Sequence, residues 1–244
     1  MKILSPSRKV FSPQAPEKLF QERPMVTNVQ KIKSEDIDWD RLIAKRPQVL
    51  DQVNEMPAYL LRPEIAKLLS NEHNPQQRLI LDLMWTAGGR VSEILALTPA
   101  SFSNDGYEVS VRLKTLKQGA GRPSKRAQAR SKIRYVPIKD HIILDRIQTH
   151  LTAGHFRSTE RIFPITRQTV NNRINTLVKS VGGSPFRIHS HTFRHSFAIH
   201  LLLHGRPLKY ISQLLGHSSI QCTEIYTNVL ISDASHFLEG VDFH

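Results

Sequence analysis

Between His191 and Tyr226 the chain gathers side chains suited to a reaction at phosphorus: the pair His191 and Arg194, then His217, then the hydroxyl of Tyr226. A guanidinium fits a phosphodiester passing through a pentacoordinate transition state, because its planar fork donates two hydrogen bonds and keeps its charge. A second candidate clamp, Arg90, lies far upstream in Thr86-Ala87-Gly88-Gly89-Arg90-Val91-Ser92-Glu93, with a lysine-rich segment between the two. His191 precedes Arg194 by three positions, so on a helix both can meet one phosphate from the same face. A phenol with a pKa near ~10 attacks at neutral pH only with a base or cations beside it. Both are present in sequence order, and the set suits phosphoryl transfer onto the protein itself.

Each residue taken alone has an ordinary structural reading. Arg90 after Gly88-Gly89 could cap the preceding helix, Arg194 could pair with a core carboxylate such as Glu93, His191 could be a helix N-terminal residue satisfied by backbone, and Tyr226 could be a core ring. The pairs His191/His195 and His200/His204 have the i, i+4 spacing of metal ligands, but Thr192 and Leu201 stand where a His-Glu-x-x-His site needs glutamate. No metal or other cofactor is expected.

The elements that must position these residues are mostly helices. Arg62-Pro63-Glu64 opens one with Ile65, Leu68 and Leu69 on a shared face, proline being suited to the first turn. Asn74-Pro75 starts a second, burying Leu79, Ile80, Leu83 and Met84. Gly88-Gly89 breaks it, and a further helix with Val91, Ile94 and Leu95 ends before Thr98-Pro99. Four more patterns follow: Ile142 to Leu151, Val170 to Val178, Phe197 to Leu202, and Leu208 to Leu215. Tyr107 to Leu113 and Ile133 to Ile138 alternate as strands and predict a hairpin. The expected fold is mainly α with a small antiparallel β-sheet. Residues 1–56, punctuated by Pro6, Pro13, Pro16, Pro24 and Pro47, read as an arm or a very small helical module, with helical pieces at Asp38 to Ile43 and at Pro47 to Val53; residues 57–244 read as a mostly helical domain with a C-terminal tail.

The hairpin connection is strongly basic. Lys114, Lys117, Arg122, Lys125, Arg126, Arg130, Lys132 and Arg134 fall in one stretch with no acidic residue among them. Such a run tracks a phosphate backbone or is simply solvated, and either way its contacts release counterions whatever the base sequence. Lys114 differs because it ends a strand, and a fixed ammonium can donate a proton to a leaving oxygen. Lys117 and Lys132 are the alternatives for that task.

Lysine and arginine outnumber aspartate and glutamate 34 to 21, a net charge of +13 that favours a polyanionic partner. The single cysteine, Cys222, cannot form an internal disulfide, and no zinc-type cysteine pair exists. With no apolar signal core after Met1 and no stretch of ~18 apolar residues, the reading is a soluble cytoplasmic protein without a membrane partner.

At Thr86–Ile94, Lys114-Thr115, Ser190–Ala198, Leu214–Ser219 and Thr223–Thr227 the chain resembles the tyrosine recombinase (phage integrase) family, over about residues 57 to 230. The resemblance implies that Tyr226 attacks a scissile DNA phosphate to give a 3′-phosphotyrosine and a free 5′-hydroxyl. Arg90 and Arg194 would hold the non-bridging oxygens, Lys114 would protonate the leaving oxygen, His191 would assist proton transfer, His217 would hydrogen-bond the phosphate and Glu93 would orient the site. The covalent link conserves the phosphodiester energy, so neither ATP nor metal is implied. A homotetramer on paired inverted-repeat sites, monomeric in free solution, is also implied, with accessory proteins possible and with Phe237, Leu238, Val241 and Phe243 as tail anchors docking in cis or trans. A plasmid or mobile-element resolvase or integrase is the leading expectation. The rivals are a type IB-like topoisomerase and a DNA-binding regulator on the same scaffold that never cuts.

Overall fold

The computed structural model describes residues 34–115 and 133–231. Ten helices flank one small sheet: α1 (Trp39–Gln52), α2 (Arg62–Ser70), α3 (Pro75–Ala87), α4 (Val91–Ile94), β1 (Phe102–Asn104), β2 (Val109–Lys114), β3 (Ile133–Ile138), α5 (His141–Gly154), α6 (Arg167–Ser180), α7 (Ser190–Leu203), α8 (Leu208–Leu215), α9 (Gln221–Glu224), a 3-10 turn (Ile225–Thr227) and α10 (Asn228–Ile231). The expected class, mainly α with a small antiparallel sheet, is what forms. No helix among the described residues is long and apolar enough to cross a membrane.

Local chemistry sets the helix ends. Asp38, Asn74, Asp140 and Thr166 cap α1, α3, α5 and α6 by accepting backbone N–H groups of the first turn. Pro63 and Pro75 occupy first-turn positions, where a missing N–H costs nothing. Two expectations need correction. The helical pieces at Asp38–Ile43 and Pro47–Val53 are one helix, α1, which carries Pro47 inside it and forgoes one hydrogen bond there. The hairpin has a third strand, β1, antiparallel to β2, and at three residues it is too short to show alternation.

Within the β2–β3 ladder Val111 pairs with Val136 and Leu113 with Arg134. Cross-strand partners share a face, so the buried face holds Val111, Leu113, Val136, Ile138 and, unusually, a charged Arg134.

Two hydrophobic clusters meet across α7. One joins α3, the sheet, α5 and α6 through Leu79, Ile80, Leu83, Met84, Val111, Val136, Ile147 and Ile174, and it takes Phe193 from α7. The other joins α1 to the C-terminal helices through Leu42, Val49, Phe197, Ile199, Leu202, Leu215, Tyr226 and Val229. Helix α7 is therefore buried nearly all round, which fixes whatever it carries. The described end of the 1–56 segment shares a core with the Tyr226 turn. Arg46 of α1 anchors it, donating to Glu64 Oε2 at 2.5 Å, to Glu64 Oε1 at 2.8 Å and to the Tyr59 carbonyl at 3.2 Å, with its guanidinium 4.8 Å over the Phe186 ring.

Beside this anchor His200 lies 4.8 Å from the Trp85 ring, 6.0 Å from Trp39 and 4.3 Å from His204, between centroids. Its Nδ1 is buried without a hydrogen-bond partner. Burial, then His204 and Arg62, push its pKa down to about 3. The unfolded chain takes up that proton near pH ~6.5 and the folded chain only far below, so this group weakens the fold as pH falls between those values, by up to about 1.4 kcal/mol per pH unit. We predict that His200→Phe matches or exceeds wild-type stability at pH 7 and flattens the acid limb between pH ~6.5 and ~4, read by urea unfolding at each pH. An unchanged slope would assign the acid sensitivity elsewhere.

Candidate active site

The turn Gly88-Gly89 delivers the first clamp. Gly88 ends α3 with φ +58°, a left-handed cap that glycine adopts without strain, and a Cβ there would lie 2.3 Å from the Phe197 ring. Arg90 then becomes the N-cap of α4. Its backbone N–H donates to Glu93 Oε2 at 2.8 Å and its Nη1 to Oε1 at 3.1 Å, leaving the guanidinium partly exposed. Arg90 thus starts the following helix and caps nothing behind it.

Glu93 is fully buried and is shared between two arginines. Arg134 reaches from β3 with Nη1 3.1 Å from Oε1 and Nη2 2.6 Å from Oε2. Burial alone would raise the Glu93 pKa, but the hydrogen bonds and charge of Arg134, the Arg90 N–H and the charge of Arg194 outweigh it and hold the carboxyl below its ordinary range. It is a permanent anion whose lone pairs orient Arg90 and Arg134.

Arg194 comes from buried α7 and does not pair with Glu93. Its Nη1 donates to the Gly88 carbonyl at 2.7 Å and its Nη2 to the Leu215 carbonyl at 2.6 Å, so backbone at the ends of α3 and α8 holds it. Burial first, then Arg90 and Arg134, lower its pKa to about 9, which leaves it charged at neutral pH. Three guanidiniums therefore lie close together with one carboxylate, Glu93, which pairs with only two of them. An oxyanion is the group that would relieve the excess.

The histidines surround this charge. His217 follows Gly216, whose left-handed cap (φ +67°) ends α8 and whose missing Cβ leaves room for Arg134. Thr223 is buried and its Oγ1 lies 2.8 Å from His217 Nδ1, which turns Nε2 away as the free nitrogen. Burial, Arg194, Arg90 and Arg134 lower the His217 pKa to about 4. His191, at the exposed start of α7, is also lowered, by burial and then by His189, Arg194, Arg90 and Arg167. A polar recess of about 320 Å³ opens beside it, lined by Gln168, Asn171, Asn175 and Arg187.

Tyr226 sits in the 3-10 turn with 3% of its surface exposed. Its hydroxyl is 2.7 Å from His195 Nδ1. Burial raises the phenol to about 12, while Arg194 and Arg90 act on it in the opposite sense. The ring is packed inward, yet within reach of the two clamps' charge.

The structure thus brings together Arg90, Arg194, Glu93, His217 and Tyr226, with His191 at the rim. Lys114 ends β2 with an exposed side chain. Lys117, Arg122, Lys125, Arg126, Arg130 and Lys132 lie outside the described residues, as do Phe237, Leu238, Val241 and Phe243. Sequence reasoning missed Arg134, His195 and Thr223 as site residues. Arg134 was legible, since it falls on the apolar phase of β3 with Val136 and Ile138, and an inward arginine demands a partner. His195 was read only as one of a ligand-spaced pair, and Thr223 carries no signal until the chain folds.

The sequence profile of the Phage integrase family matches residues 58–232. A resolvase of Escherichia coli is 34% identical over 82% of this chain and 84% of its own length. The tyrosine recombinase XerD of Shewanella oneidensis is 33% identical over 71% of this chain and 58% of its own. Among solved structures, the XerH site-specific recombinase bound to a palindromic difH substrate after cleavage superposes with a TM-score of 0.60 at 21% identity, over 76% of this chain and 54% of that one. The catalytic domain of bacteriophage HP1 integrase does so with a TM-score of 0.51 at 24% identity, over 75% and 94%. A helical body around a three-stranded sheet, two arginines from distant segments and a tyrosine near the carboxyl end agree with these likenesses: this chain belongs to the phage integrase family of tyrosine recombinases.

Proposed function

We propose that this protein is a site-specific DNA recombinase that cuts and rejoins DNA through a 3′-phosphotyrosine on Tyr226. The observation that carries the reading is the gathering of Arg90, Arg134 and Arg194 in one place, where Glu93 pairs with only the first two, with a phenol beside them. A scissile phosphate entering between Arg90 and Arg194 would find fixed positive charge where its transition state gains negative charge, and catalysis by preorganised charge needs no further agent. His217 Nε2 would add a hydrogen bond to a non-bridging oxygen, and His191 would stand where DNA enters. Because Tyr226 is buried, DNA binding has to open the Ile225–Thr227 turn before attack. Lys114 would protonate the leaving 5′-oxygen.

The basic connection containing Lys117, Arg122, Lys125, Arg126, Arg130 and Lys132 would follow the DNA backbone, as would the 1–56 arm, whose helical end is α1. The likeness to a resolvase favours a resolvase role among the possible outcomes, and the family resemblance carries the rest of the reading: a plasmid or mobile-element setting, inverted-repeat sites, a homotetramer and accessory proteins. A complete set of clamps around a tyrosine disfavours the non-cutting regulator, and the named relatives are recombinases and not topoisomerases.

Three outcomes are expected. A nicked substrate carrying the cognate site traps a covalent adduct in EDTA with the wild type and with Cys222→Ser; Tyr226→Phe gives none, and an adduct in that variant refutes the nucleophile. Lys114→Ala slows cleavage of an ordinary 5′-oxygen by about 100-fold or more and regains most of it with a 5′-bridging phosphorothiolate, whose leaving group needs no proton; without that recovery another residue is the acid. Glu93→Gln leaves three guanidiniums without an anion, and we expect a loss of about 3 kcal/mol in urea unfolding together with slower adduct formation. A stable, fully active Glu93→Gln protein would remove the carboxylate from the account.

A further inference from the structure

Attack by Tyr226 releases a phenolic proton, and the site contains several groups that could be asked to take it. Arginines cannot, since they hold their charge. His217 has committed Nδ1 to Thr223. His191 lies at the rim, its ring centroid 6.5 Å from that of His195. Among the described residues His195 alone hydrogen-bonds the hydroxyl, with Nδ1 2.7 Å from the phenolic oxygen and the ring only partly exposed on α7.

We propose that His195, one position after the Arg194 clamp, holds the Tyr226 hydroxyl and accepts its proton at Nδ1 as the tyrosyl oxygen bonds to phosphorus. The proposal rests on Tyr226 being the nucleophile. Atoms balance: the O–P bond to Tyr226 forms, the P–O5′ bond breaks, the phenolic proton moves to His195 Nδ1, and the 5′-oxygen takes a proton from Lys114. Rejoining runs the same transfers in reverse. In the resting site His195 is neutral, held down to about 4 by burial and then by His191, Arg194, His189 and His217. A neutral imidazole with Nδ1 unprotonated is the form that can accept. An incoming phosphate would offset the charge of Arg194, and a phenolic oxygen bonding to phosphorus becomes far more acidic, so a weak base suffices late in the step.

The test uses the full-length protein and single-turnover cleavage of the nicked substrate. His195→Asn places an amide near the position of Nδ1, keeping a hydrogen bond but accepting no proton. We expect cleavage slower by about 100-fold or more, with DNA affinity and melting temperature close to wild type. Replacing Tyr226 by difluorotyrosine, a more acidic phenol, restores at least about tenfold in His195→Asn and changes the wild-type background little, because a phenol that gives up its proton more readily depends less on an acceptor. Cleavage by His195→Asn within about threefold of wild type overturns the proposal, as does a deficit that fluorination leaves untouched, which marks a purely positioning role. An adduct that survives in Tyr226→Phe instead overturns the nucleophile itself, so the two failures are distinguishable.

Discussion

Everything in this site follows from the cost of keeping three guanidiniums together in a place with little water. Like charges at close range repel strongly where the dielectric is low, and Glu93 balances only one of them. The protein meets the remainder with rigidity. Arg134 is clamped to Glu93 in two-point contact, Arg90 is held by the same carboxylate through side chain and backbone, and Arg194 is fastened to the carbonyls of Gly88 and Leu215. Arg90 stands at the start of α4 and Arg134 near the start of β3, while Arg194, inside α7, is held by the carboxyl ends of α3 and α8. The folded body holds the charges apart from solvent and in place, so binding an anion relieves a repulsion that folding has already imposed.

The same charge explains the state of the groups around it. Burial and neighbouring positive charge lower the pKa of both His195 and His217 to about 4, so they stand in the site as neutral hydrogen-bonding groups and not as extra cations. The phenol of Tyr226 feels opposing influences: burial favours its neutral form and Arg194 and Arg90 favour its anion. Burial prevails, which keeps the phenol neutral while its ring stays packed in the cluster that joins α1 and α7. On the proposed function, access of DNA and release of the tyrosine are parts of one event.

Much of this was legible from residue types. The glycine pair before Arg90, the helical periods of α2, α3, α5 and α6, the alternation of β3, and the order of arginine, histidine and tyrosine all led to the architecture and to most of the site. What stayed hidden were relations between distant segments. The ordinary alternative for Arg194 was a core carboxylate such as Glu93, whereas backbone carbonyls from two helix ends satisfy it, and main-chain acceptors have no letter in a sequence. Pro47 suggested a break that packing of Leu42 and Val49 overrode. Thr223 finds His217 only because α9 folds back beneath the Gly216 turn.

The packing of α1 carries an optical consequence. The chain has two tryptophans, and both Trp39 and Trp85 border the His200 imidazole. Indole emission from this molecule therefore comes from one locality, the seam where the amino-terminal helix meets the helix bearing Arg194 and His195. Its colour and intensity track whether that seam is dry or wet, giving an intrinsic, label-free signal for any loosening of α1 when DNA arrives.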